Sequence, residues 1–290
     1  MIVDCHTQIW NSHARLGRGA PLVAPSVHAD ESRHWAAVDT VDKAIVLAFK
    51  SEYLGAEIPN RFVAEYVRRN PAKLIGFAGI DPQERDWLEE LRIAQDELQL
   101  KGVVVSPSMQ NFHPTDTRAM RLYEQCVRRG MPILFEQNHR NPAAKMEFAR
   151  PALLDEVARE LPDLRIIVAR LGYPWTPESV VLLGKHAHVY ADVAGLLPQP
   201  WLSYTALLAA YEYGVMDKLL FGSDFPYRAP ATCIEALYTI NQFSHESNLQ
   251  SIPREQLRGI VERDSLALLG ISSPSAPNSK PKSAIFADDD

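Results

Sequence analysis

Eight short apolar runs recur along this chain at intervals of roughly 30 residues, the length of one strand-plus-helix unit. They are Ile2–His6, Ala44–Phe49, Leu74–Ile80, Gly102–Val105, Pro132–Glu136, Leu164–Arg170, Val189–Val193 and Lys218–Asp224, each four to seven residues long. Most are rich in Val, Ile, Leu or Phe, which favours strands. They lack alternation of apolar and polar residues, as strands of a parallel sheet covered on both faces do.

Helical spacing fills the intervals. Phe62, Val63, Tyr66 and Val67 form one stripe, and Trp87, Leu88, Leu91 and Ala94 another, followed by Leu98. Met120, Tyr123 and Val127 make a third; Leu153, Leu154, Val157, Ala158 and Leu161 make a fourth. Thr176-Pro177-Glu178 reads as a helix cap followed by proline in the first turn. Gly130 after Arg128-Arg129, and Gly214 after the helix that starts near Pro200, read as helix C-termini.

Strict alternation of strand and helix implies a parallel sheet. Eight such units in about 270 residues predict an α/β fold, a (β/α)8 TIM barrel. The rival, an open doubly wound sheet, would carry a glycine-rich phosphate loop after its first strand. That position reads His6-Thr7-Gln8-Ile9-Trp10, and GxGxxG occurs nowhere. The expected organisation is one barrel over residues 1–271 and a disordered, Pro/Ser-rich, acidic tail over 272–290. Asn11 to Asp30 reads as a long loop over one end of the barrel.

Charge narrows the partners. Thirty basic and 36 acidic residues give a formal charge of −6, which argues against nucleic acid and anionic membrane. No apolar run spans a bilayer. The first residues show neither a basic nor an apolar leader region, so a cytoplasmic location is expected. Cys5, Cys126 and Cys233 are few and far apart, and they read as free thiols in the core.

Active-site groups of a barrel lie at the C-terminal ends of its strands. Those ends offer Asp4, His6 and Gln8 on one face of the first strand, then Ser106, then Glu136 with His139 three residues on, then Arg170, then Ser223-Asp224. Trp10, Trp175 and Tyr227 follow the first, sixth and eighth strands, where they could wall a pocket mouth or pack under loops.

The segments DCHTQIW, RIIVARLGYPW, VYADVAG and KLLFGSDFPY resemble, in order and spacing, the amidohydrolase-related (amidohydrolase 2) branch of the amidohydrolase superfamily. That branch is similar to aminocarboxymuconate semialdehyde decarboxylase and to metal-independent dicarboxylate lactonases. The resemblance implies a divalent metal held by a His-x-His pair on the first strand and by histidines after the fifth and sixth. Here those positions read His6 and Gln8, then Glu136, then Arg170; only His6 and Asp224 of the usual polar set are unchanged.

A catalytic zinc takes three protein ligands, and His6, Glu136 and Asp224 could supply them. Arg170 opposes this, because a guanidinium is always charged and cannot ligate. Beside the two carboxylates it could instead relieve their mutual repulsion. The expectation is therefore that no cofactor is bound, with a divalent metal (Zn, Mn or Fe) on His6, Glu136 and Asp224 as the alternative.

The expected activity is hydrolysis of a lactone, amide or ester bond in a small carboxylate-bearing molecule. Asp224 would be the general base for water, Arg170 the anion holder, and His6 or His139 the acid. Glu136 completes the catalytic set. Gln8, His139, Trp10, Trp175 and Tyr227 are the expected substrate contacts. Two other readings stand beside this one: a retired barrel kept as a binding or scaffold protein, and a decarboxylase or C–C lyase. The resemblance also implies a homodimer.

Overall fold

The structure, a computed structural model, describes residues 1–11, 17–18, 27, 29–137, 140–245 and 247–272. Strand β1 (Val3–Gln8) is followed by α1 (Glu31–Ala37) and β2 (Lys43–Leu47). Next come β3 (Phe49–Ser51), β4 (Ala56–Ile58) and α2 (Asn60–Arg69). The units β5 (Leu74–Gly79) with α3 (Trp87–Arg92), then β6 (Gly102–Val105) with α4 (Pro107–Gln110) and α5 (Thr117–Arg129), continue the alternation. They lead to β7 (Ile133–Phe135), α6 (Leu154–Glu160), β8 (Ile166–Val168), α7 (Thr176–Lys185), β9 (Val189–Asp192) and α8 (Pro200–Tyr213). The last elements are β10 (Leu219–Leu220), α9 (Pro230–Tyr238), α10 (Arg254–Glu262) and α11 (Ser265–Leu268).

Eight strands form one parallel sheet in the order β1-β2-β5-β6-β7-β8-β9-β10, and β3 pairs with β4 in a separate antiparallel ribbon. The residues after β10 bring the sheet back to β1. Cys5 N–H donates to Phe221 O at 2.9 Å, Gln8 N–H to Phe225 O at 2.9 Å, and Asp224 N–H to His6 O at 3.0 Å. The predicted TIM barrel is therefore the observed architecture.

The unbroken apolar runs are explained by burial. Every residue of β5, β6, β7, β8 and β9 is buried, since these strands face side chains within the ring and helices outside it. The helices put the predicted stripes inward: Val63 and Tyr66 of α2, Leu122 and Tyr123 of α5, and Leu154 and Val157 of α6 are all buried. Gly130 and Gly214 close α5 and α8 in the left-handed conformation, at φ 65° and 79°, which glycine adopts without a Cβ clash. One local expectation shifts: Thr176 is the first residue of α7 and makes no capping hydrogen bond, Trp175 holding the preceding position.

Cys5, Cys126 and Cys233 are buried free thiols. Among the described residues, no helix is long and apolar enough to cross a membrane. Most of the first long connection, His139 and residues 273–290 lie outside the described residues.

Candidate active site

Four side chains meet at the C-terminal end of the ring. His6 comes from β1, Glu136 follows β7, Arg170 follows β8, and Asp224 follows β10. His6 Nε2 stands 3.3 Å from Glu136 Oε2 and 3.7 Å from Asp224 Oδ1. The Arg170 guanidinium joins the two carboxylates: one terminal nitrogen pairs with Glu136 Oε1, and the other donates to Asp224 Oδ1 at 2.7 Å. Glu136 and His6 are closed off from solvent, while Arg170 and Asp224 keep side-chain exposures of 19% and 12%. The cluster therefore opens outward through its arginine and aspartate.

Burial works against the charge of Arg170, but the attraction and hydrogen bond of Asp224, with Asp192 behind it, outweigh this and hold the guanidinium protonated. Among the described residues, two of its five N–H donors are taken by the two carboxylates and three remain. Asp224 Oδ1 is taken by Arg170, and its Oδ2 makes no hydrogen bond among the described residues.

A fifth group, Asp192 at the end of β9, was not among the residues singled out from the sequence. It is fully buried. Its Oδ2 lies 3.0 Å from His6 Nδ1, and its Oδ1 accepts from the backbone N–H of Arg170 at 2.9 Å and of Ala194 at 3.0 Å. Burial alone would raise its pKa. The charge and hydrogen bond of His6, the Arg170 N–H and the Arg170 charge more than offset that, leaving it below the ordinary carboxylate value. The sequence signal was present, since Asp192 is the one charged residue in its run, but a mid-block aspartate looks like a loop cap until the ring is closed.

The backbone carries strain at this cluster. Arg170, Leu171 and Asp224 have φ values of 56°, 47° and 65°, a left-handed region that non-glycine residues rarely occupy. Such outliers persist when their surroundings fix them, and they cluster at functional sites. Here Asp192 holds the N–H of Arg170, while the N–H and C=O of Asp224 bond to His6 O and Tyr227 N–H. Gly195, at φ +67°, packs against the pair: a Cβ built there would sit 3.0 Å from Asp224 Oδ2 and 3.1 Å from Arg170 Cδ and Nε.

The other predicted positions divide. Trp10 is buried and its ring lies 6.4 Å from that of Tyr227, which is half-exposed and close enough to Asp224 and Arg170 for their charges to act on its hydroxyl. Gln8 ends β1, partly buried, and makes no side-chain hydrogen bond among the described residues. Trp175 heads α7 with its N–H on Gly172 O. Ser106 supports the site without facing it as a nucleophile, donating its hydroxyl to the Glu136 carbonyl at 2.8 Å. Asp4 lies one turn of the pleat beneath His6 and is pushed up to about 6 by burial, against the opposing hydrogen bonds of Ser223 and His6.

Comparison with known proteins adds the family. A family model described as "Amidohydrolase" matches residues 3–271. A search of curated proteins finds no match. Among solved structures, the chain is similar to an amidohydrolase from Burkholderia multivorans with bound zinc, at TM-score 0.68 and 12% identity over 94% of this chain and 100% of that one. It is similar to a dihydroxybenzoic acid decarboxylase from a Polaromonas species with bound manganese and the inhibitor 2-nitroresorcinol, at TM-score 0.65 and 14% identity over 93% and 96%. A probable 2-pyrone-4,6-dicarboxylic acid hydrolase from Acinetobacter baumannii with bound citric acid gives TM-score 0.66 and 14% identity over 93% and 99%.

These structures correct the expectation that no cofactor is bound, because two of them hold zinc or manganese. That expectation gave the charge of Arg170 more weight than the divalent metal that the resemblance implies. The donors present here suit such an ion in kind, an imidazole and two carboxylates, and among the described residues His6 Nε2 and Glu136 Oε2 are buried without a hydrogen bond. Their placement does not suit it: among the described residues no three His, Cys, Asp or Glu side chains form a group that could hold a metal, and Arg170 is paired with two of the three donors. The family assignment rests on the match along nearly the whole chain, and the chain belongs to the amidohydrolase family.

Proposed function

We propose that this chain hydrolyses a lactone, ester or amide bond in a small carboxylate-bearing molecule. The observation that carries the reading is the Arg170–Asp224 pair at the open side of the buried cluster. Arg170 has N–H donors left to grip a substrate carboxylate or the oxyanion that forms on a carbonyl. Asp224 has one oxygen fixed by Arg170 and the other free to take a proton from water. In that step the water oxygen bonds to the carbonyl carbon, its proton passes to Asp224 Oδ2, and the leaving oxygen or nitrogen departs with that proton, handed on by Asp224. Glu136 completes the charge around Arg170, and Trp10 and Tyr227 wall the mouth.

A second reading, decarboxylation, is favoured by one feature. His6 Nε2 is a buried nitrogen with no hydrogen-bond partner among the described residues, 3.7 Å from an oxygen that Arg170 holds. That is a suitable place to deliver a proton to the carbon that loses carbon dioxide. The similar Polaromonas structure is a decarboxylase.

One panel tests both readings: lactones, amides and aromatic carboxylic acids, each with and without added zinc or manganese, assayed for ring opening and for carbon dioxide. The expected result is turnover by the unchanged chain that falls at least a hundredfold in Asp224→Asn, within the usual range for loss of a general base. No turnover of any compound would overturn the proposal and leave the binding or scaffold role.

A further inference from the structure

We infer that Asp192 is a positioning residue that sets two working groups at once: which nitrogen of His6 faces the site, and where Arg170 leaves the barrel wall. Its two oxygens serve different partners. Oδ2 meets His6 Nδ1 at 3.0 Å, and Oδ1 meets the Arg170 N–H at 2.9 Å and the Ala194 N–H at 3.0 Å. An ionised carboxylate accepts and cannot donate, so Nδ1 must carry a proton to satisfy it. That fixes Nε2 as the nitrogen turned to Glu136 and Asp224, 3.3 and 3.7 Å away.

The second arm acts on the backbone. Arg170 sits at φ 56°, a strained conformation that needs an external hold. A buried acceptor for its N–H is such a hold, and it lies on the residue that orients His6. Asp192 touches neither the open mouth nor the free oxygen of Asp224, so it acts through its two neighbours. A buried carboxylate with three donors is fully satisfied, which gives the arrangement rigidity as well as charge.

The experiment has two independent readouts. The first is long-range nitrogen–proton NMR on protein labelled with 15N-histidine, with His6 assigned by loss of its signals in His6→Gln. It is recorded above the ordinary histidine pKa of about 6.5. The expected result is a proton on Nδ1 of His6 in the unchanged chain, and loss of that fixed pattern in Asp192→Ala. A proton on Nε2 alone in the unchanged chain overturns the inference without any variant having to fold.

The second readout rests on the proposed function and uses 2,6-dihydroxybenzoate as the carboxylate probe, by calorimetry. Asp192→Ala is expected to weaken its binding more than tenfold, and Asp192→Asn, which keeps an acceptor oxygen for the Arg170 N–H, to recover most of it. Equal binding by all three proteins overturns the Arg170 arm. Should the unchanged chain not bind the probe, the proposed substrate class fails and the NMR result alone decides the role of Asp192.

Discussion

Gly195 and Arg170 are packed so closely that a methyl group on Gly195 would stand 3.1 Å from both Cδ and Nε of the arginine. The glycine also has φ +67°, so it supplies both the space for the guanidinium and the backbone turn beside it. Gly195→Ala should therefore shift Arg170 or Asp224 by a few tenths of an ångström within their bridge. The expected outcome is a stability loss of about 1–3 kcal/mol from the strained backbone and a fall in turnover of at least tenfold. Thermal melts and steady-state kinetics check the two separately.

Asp224→Asn keeps the shape of the side chain and removes its charge and its basicity. We expect kcat to fall by about 10²–10⁴ while KM for a carboxylate substrate changes little, because Arg170 retains Glu136 and its remaining donors. A variant that loses KM and keeps kcat would reassign Asp224 to binding.

Arg170→Met removes the cation from a cluster whose other charges are carboxylates. Breaking a buried pair from one side typically costs about 3–5 kcal/mol, and Glu136 is buried, so chemical denaturation in chelator should show a loss of that size. Arg170→His removes the fixed positive charge and adds a ligating nitrogen. Its affinity for zinc or manganese, measured by calorimetry, should exceed that of the unchanged chain by at least tenfold. Equal affinity would show that Arg170 does not compete with the ion.

Two buried groups give opposite pH slopes. Asp4 is raised from 3.8 to about 6 by burial, so its contribution to stability is present below pH 3.8 and is lost as pH rises through about 6. His34 is lowered from 6.5 to about 4 by burial. Its imidazole lies 2.8 Å from the Tyr66 hydroxyl and 2.9 Å from that of Thr7. Its contribution is present above pH 6.5 and is lost as pH falls through about 4. Each effect is of the order of 3 kcal/mol, so the two nearly cancel in the native protein. Urea unfolding across this window should show Asp4→Asn gaining on the unchanged chain as pH rises, and His34→Gln gaining as pH falls.

The ring was legible because its strands are buried on both faces, and runs such as Val103-Val104-Val105 have no solvent side to break them. His6, Glu136, Arg170 and Asp224 were legible for a related reason: a charged residue at the end of such a run has only the mouth of the barrel to point into. The ribbon of β3 and β4 was not legible, since three-residue strands carry too little pattern to separate from a loop. Asp192 escaped because its partners lie 186 and 22 residues away, and only closure of the ring brings them together. Cofactor occupancy was misjudged because the charge of Arg170 and its pairing with Glu136 and Asp224 were given more weight than the divalent metal that the resemblance implies.

Closure has a consequence for how this protein could report on its own occupancy. The joint between β1 and the residues after β10 is held by the amides of Cys5, Gln8 and Asp224, and Asp224 is also the residue that faces the mouth. A ligand held by that carboxylate is expected to slow the exchange of those three amides, which would register binding before any product is known.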